Sequence, residues 1–328
     1  MIDQNAEFIH TEVYAAKNKN PKIIRNSSSG GMFTALSDLF IKNGDAIASC
    51  IYNVKTDCVE LSIYDDCKTR DMARGSKYIQ AQIGDGFKRI KEWLQDNSDK
   101  SLLVIGTGCQ IAGLDKYLRL INLRERVVLV DLICHGATSP GLWKDYIEHI
   151  GISGKIEYLS FKDKRNGWHN PTVYAKVNGE EISINEYSEW FYGQWAIRKS
   201  CYKCPYTKVN RTTSDLTIGD YWGIENVIPD FADSMGVSLV LLHTTKGKKI
   251  FDDIKNVIDI RESNDTDCLQ PRLISPAEMP KNREKFWDDM RDKGINYCSK
   301  KYMEKQENVL WRRATRKVKC FLKSLLGK

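Results

Sequence analysis

Ten cysteines stand in this 328-residue chain, and four of them occupy places where a thiol could hold metal. Cys201 and Cys204 form a C-x-x-C pair followed by Pro205 in SCYKCPYTKVNRTTSDLTIGDYWG. Such a pair clips a metal, belongs to a cluster, shuttles a disulfide or sits in a turn, and its spacing alone does not choose. Cys109 in VIGTGCQIAGL and Cys134 in VDLICHGATSP share a second setting, each after a buried-type strand and before a helix-like pattern. That placement puts both thiols at the carboxyl edge of one sheet, on neighbouring strands about 5 Å apart. Four thiols from three loops suit either tetrahedral zinc or an iron-sulfur cube. Zinc sites more often use paired knuckles, so two single cysteines with one C-x-x-C-P favour the bulkier cluster, and zinc is the alternative. Cys50, Cys58, Cys67, Cys268, Cys298 and Cys320 lack such a frame and read as small core hydrophobes or incidental thiols.

Other segments suit the binding of a nucleotide. In RNSSSGGMFTALSDLFIKNGD, the residues Met32, Phe33, Leu36, Leu39 and Phe40 recur at helical spacing, so Ser27, Ser28, Ser29, Gly30 and Gly31 form the helix start. Small residues there allow close approach, and helix-start N–H groups joined by Ser hydroxyls are suited to the phosphates of a nucleotide cofactor. The segment is neither G-x-G-x-x-G nor a P-loop. In MARGSKYIQAQIG, Arg74, Lys77 and Tyr78 place cations beside an aromatic ring, able to pair with phosphate or stack on a planar ring. FKDKRNGWHNP adds Lys162, Arg165, Trp168 and His169, and LTIGDYWG adds Asp220 and Trp222 at a strand end. None of these supplies a nucleophile, base and orienter, and electron transfer requires none.

Positioning these residues requires an α/β frame. DAIASCIY, SLLVIGTGCQIAGLDKYL and VVLVDLICHGATSPGLWKDYIEHI each run from an apolar stretch through a turn towards a helix. The pattern predicts a mixed, partly parallel sheet flanked by helices. Asn178-Gly179 between TVYAKV and EEISINEY predicts an antiparallel hairpin insertion. The polar, Pro-containing RESNDTDCLQPRLISPAEMP reads as a crossing segment into a C-terminal helical extension. Three spans follow: residues 1–100 and 101–262 as the two parts of the core, the second carrying the cysteines, and residues 263–328 as the extension.

At 41% hydrophobic content the chain can bury a large core. It shows neither a bilayer-length apolar run nor a secretory-type start, so a cytoplasmic location is expected. In a reducing compartment ten cysteines are not a disulfide framework. The net charge of +7 lies in the tail, where residues 308–328 hold seven Lys/Arg and no acid. A neutral body argues against a nucleic-acid partner. In residues 309–328, Trp311, Val318, Phe321, Leu322 and Leu325 take one helical side and Arg312, Arg313, Arg316, Lys317 and Lys319 the other, a pattern suited to peripheral contact with an anionic inner-membrane surface.

Taken in order, VYAAKN, SSSGGMFTAL, RGSKYIQA, GTGCQIAGL, DLICHGATSP, FKDKRNGW, SCYKCPYTKVNRTTSDLTIGDYWGIE and GVSLVLLHTTKG resemble the coenzyme F(420) hydrogenase/dehydrogenase beta-subunit family over residues 13–260. The resemblance implies a flavoprotein oxidoreductase. FAD would be bound by residues 27–31 and the segment Arg74, Ser76, Lys77 and Tyr78, beside a 4Fe-4S cluster on Cys109, Cys134, Cys201 and Cys204. Arg211 and Asp220 would fall where flavin and cluster meet. The implied partners are a redox protein, or a deazaflavin or other small-molecule hydride donor. No ferredoxin-type C-x-x-C-x-x-C-x-x-x-C-P run is present, so one cluster is expected, and Gly108 replaces the family's Pro before the first ligand. Members of the family without ferredoxin runs resemble those encoded beside polysaccharide-assembly enzymes. The alternative is therefore a non-catalytic or zinc-bound accessory protein of a polysaccharide biosynthesis pathway.

Overall fold

The runs LLVIGT and VVLVDL are apolar on both faces, as strands covered by helices on each side must be. In the computed structural model, which describes residues 8–303, they are neighbouring central strands. The large sheet contains β1 (Phe8–Asn18), β2 (Ala46–Asn53), β3 (Cys58–Tyr64), β4 (Leu102–Thr107) and β5 (Val127–Leu132). A smaller sheet holds β6 (Ile156–Asp163), β7 (Thr172–Val177) and β8 (Glu180–Ser183), before β9 (Leu216–Asp220), β10 (Ser238–Thr244) and β11 (Ile258–Ser263) return to the first. The eight strands lie in the order β11-β1-β10-β9-β5-β4-β2-β3. Pairs β2/β4, β4/β5 and β5/β9 are parallel, and the flanking pairs are antiparallel. This is the mixed sheet that the sequence predicts.

Leu102, Leu103, Val127, Leu129 and Val130 are fully buried, each side chain contributing roughly 1.5–3 kcal/mol through removal from water. The helices Met32–Lys42 and Gly108–Leu120 cover the sheet through Leu36, Phe40, Ile111 and Leu114. Across the smaller sheet, Trp143, Tyr146, Phe161, Tyr187 and Trp190 form an aromatic core that also takes Phe286 of the helix Arg283–Lys301. The predicted hairpin joins β7 to β8, with Asn178 at φ 51° and Gly179 at φ 80°, the left-handed pair such a turn requires. The C-terminal extension carries the short helix Pro271–Ile274 and the helical segment Arg283–Lys301, which is kinked at Gly294 (φ 76°), and the basic tail at residues 309–328 lies outside the described residues. Among the described residues no helix is long and apolar enough to cross a membrane.

Candidate functional site

The carboxyl ends of β4 and β5 deliver Cys109 and Cys134 to the same edge of the sheet. Cys109 lies within the first turn of the helix Gly108–Leu120 rather than in a loop before it. Its Sγ is 3.3 Å from Thr107 Oγ1. A Cβ at Gly108 would stand 2.9 Å from Tyr206 Cβ, so the small residue lets the segment after Cys204 pack against the helix start. The stretch after β5 curls at Gly136 (φ 129°), and the Gly136 N–H donates to Cys134 Sγ at 3.4 Å.

Cys201 and Cys204 reach this edge through backbone pairing. Thr138 N donates to Tyr78 O at 3.1 Å, Gln80 N to Thr138 O at 3.0 Å and Arg198 N to Ala137 O at 3.0 Å. Cys201 N then donates to Arg198 O, closing the turn that carries the C-x-x-C pair. Burial pushes the Cys134 thiol up to about 12, against the Gly136 N–H, and Cys201, Cys109 and Cys204 add to the rise. Cys201 is raised by burial and likewise senses Cys109 and Cys204. Cys134 thus senses each of the other three predicted thiols. Among the described residues no group of three or more His, Cys, Asp or Glu side chains is placed to hold a metal ion.

Below the thiols, Arg211 Nη1 donates to Asp131 Oδ2 at 2.7 Å, with both side chains buried. The pair ties the segment after Cys204 to β5 immediately before Cys134. Asp220, at the carboxyl end of β9, accepts from Lys162 Nζ at 2.5 Å and Trp168 Nε1 at 2.9 Å. Trp168 stacks on Trp222 with centroids 4.6 Å apart, and Lys162 lies over the Trp222 ring. Burial lowers the His135 imidazole to about 4, with Arg272 adding to the shift and Asp220 opposing it.

The two nucleotide-type segments meet each other. Ser76 donates to Ser28 Oγ from its N at 2.9 Å and lies 3.0 Å from it through its own Oγ. Two residues on, the Tyr78 carbonyl bonds Thr138, so residues 76–80 bridge the helix start and the Cys134 loop. Many of the predicted binding groups are turned to internal partners. Gly30 N donates to Ser238 Oγ, Arg74 bonds Asp71 and Thr34, and Lys77 caps the carbonyls of Ala73, Arg74 and Gly75. Tyr78 stacks on Phe191 at 4.2 Å and shares a 2.7 Å hydroxyl contact with Tyr192. The Gly31 backbone is left-handed (φ 91°), and Ser27 and Ser29 bond Ile23 O and Val237 O. Beside them opens a cleft of about 310 Å³ lined by Arg25, Asn26, Asp163, Lys164 and Arg165. Sequence spacing does not single out Arg25 or Lys164, because only the fold joins their segments. Lys164 Nζ donates to Ser29 O at 2.8 Å and also to Met235 O.

Residues 99–266, which include all four cysteines, match the model of a family described as the C terminus of the coenzyme F(420) hydrogenase/dehydrogenase beta subunit. No curated protein matches the chain. Among solved structures, a chain of the F(420)-reducing nickel-iron hydrogenase complex from Methanosarcina barkeri is similar, at 14% identity and a TM-score of 0.55, with 89% of this chain and 95% of that chain covered.

Proposed function

Because the chain belongs to the coenzyme F(420) hydrogenase/dehydrogenase beta-subunit family, we propose that it is a flavin- and iron-sulfur-dependent oxidoreductase that exchanges electrons with a redox partner. The support for this reading is that adjacent strands bring Cys109 and Cys134 to one sheet edge, while the turn carrying Cys201 and Cys204 is bonded through Arg198 to Ala137 of the Cys134 loop. When bound, FAD would exchange electrons in pairs or singly and a 4Fe-4S cluster would exchange them singly.

The four thiolates would hold the cluster. The Gly136 N–H already aimed at Cys134 favours its charged form. Cys109 would bind from the first turn of its helix. The Arg211–Asp131 pair keeps the Cys204 side of the site against β5. For FAD the support is different. Residues 27–31 and 74–78 are already joined through Ser28 and Ser76, and Arg25 and Asn26 line the adjacent cleft, where Arg165 pairs with Asp163 and Glu181 and Lys164 is held by backbone carbonyls. Lys77 and Tyr78 would act by shaping that wall, since their side chains are held internally. Asp220 and Lys162 would place a buried ion pair between flavin and cluster.

Anaerobic purification followed by iron, acid-labile sulfide and flavin analysis tests the proposal. Iron and sulfide in equal amounts together with flavin are expected. Zinc without flavin would overturn it in favour of an accessory protein.

A further inference from the structure

A buried guanidinium is costly unless it is paired, and the segment after β11 carries one without a carboxylate. Arg272 is 9% exposed and sits in the short helix Pro271–Ile274. Its Nε has no acceptor, and its Nη1 reaches only the Ser275 carbonyl, at 3.4 Å. Gln270 fixes the helix in place. Its Nε2 donates to Asp220 O at 2.9 Å, and its Oε1 accepts from Trp222 N at 3.0 Å. These bonds dock the helix at the carboxyl end of β9, where Ile133 N, one residue before Cys134, donates to Ile218 O. The Arg272 charge acts on both Cys134 and His135. Residue 272 also lies beyond the part of the chain that the family model matches.

We propose that Arg272 is the counter-charge of the cysteine site, a positioning residue whose cation offsets the negative charge that four thiolates and their cluster bring to the sheet edge, and so raises the cluster's reduction potential. This rests on the iron-sulfur reading above. Reduction adds one electron to an already anionic cluster. A fixed cation nearby, shielded from water, stabilises the reduced form more than the oxidised form.

The test uses the full chain purified anaerobically, with Arg272→Gln and Arg272→Lys beside the wild type. Iron and sulfide are measured first, then the midpoint potential by dye-mediated titration followed by electron paramagnetic resonance. Arg272→Gln should shift the midpoint to a more negative value, changing the oxidised-to-reduced ratio at fixed potential by roughly tenfold. Arg272→Lys should stay near the wild type. Loss of iron in the Gln variant with retention in the Lys variant would equally support a counter-charge. Wild-type iron and potential in Arg272→Gln would overturn the assignment, as would equal iron loss in both variants. A wild-type protein without iron would instead remove the iron-sulfur reading itself, and the assignment with it.

Discussion

At the amino ends of β5 and β9, the Arg124 guanidinium donates to Asp115 at 2.7 Å, to Asp215 at 2.9 Å and to the Val127 carbonyl at 2.8 Å. Asp215 is fully buried and in turn accepts from Leu129 N and Thr244 Oγ1. At the carboxyl ends of the same strands, Arg272 is also buried, but among the described residues its Nε has no acceptor. The contrast separates architecture from site. A buried cation paired with two carboxylates holds strands together, whereas one left short of partners is the feature that the counter-charge proposal accounts for.

This difference can be broken in four ways. The largest effect is expected at the carboxyl end, where Cys109→Ser and Cys201→Ser should each reduce bound iron to background. The urea midpoint of the metal-free protein should stay unchanged, and iron retained in either variant would break the shared site. Next comes the amino end. Asp215→Ala should destabilise the fold by about 3–5 kcal/mol in urea titration, since Arg124 would remain buried with half its carboxylate pairing gone.

His243 extends the satisfied region, with Thr11 and Thr217 on either side of its ring. Burial first, and then Arg211, push its imidazole down to about 3, so it folds neutral. Unfolded histidine takes up its proton near 6.5. Between pH 6.5 and about 3 the unfolded chain therefore binds more protons than the folded one, and stability must fall as pH drops through that window. The loss should be on the order of 3 kcal/mol, read as urea midpoints from pH 7 to 4, with a shallower slope in His243→Gln. The smallest effect is Arg272→Met in the metal-free protein, a gain of about 1 kcal/mol as an unpaired cation is removed. A loss comparable to that of Asp215→Ala would instead make Arg272 a strand staple like Arg124.

Local pattern made the central strands legible, because β4 and β5 are continuous apolar runs and their thiols follow directly. The helix after Gly31 and the Asn178-Gly179 turn are likewise set by neighbours in sequence. What the pattern could not show is how separate segments use their polar groups. Lys77 and Arg74 look free in MARGSKY, yet the chain's own carbonyls, Asp71 and Thr34 occupy them. Lys162, Trp168, Asp220 and Trp222 are visible as residues, but their meeting depends on β6 lying near the end of β9. Arg272 was hidden most completely. It stands in a polar, proline-bearing stretch, and its burial comes from two hydrogen bonds made by Gln270 to a distant strand end.

The bridge formed by residues 76–80 also bears on the order of assembly. Its bonds close loops of 48 residues back to Ser28 and 60 residues forward to Thr138. Contacts of such range form slowly, because the chain loses loop entropy before they return any stabilisation. The strands can pair before this rim does. A chain emerging from the ribosome has no complete thiol set until Cys204 has been made and the bridge has closed over the helix start. Loading of the proposed cluster would then fall at the end of folding, as a step that seals a sheet already formed.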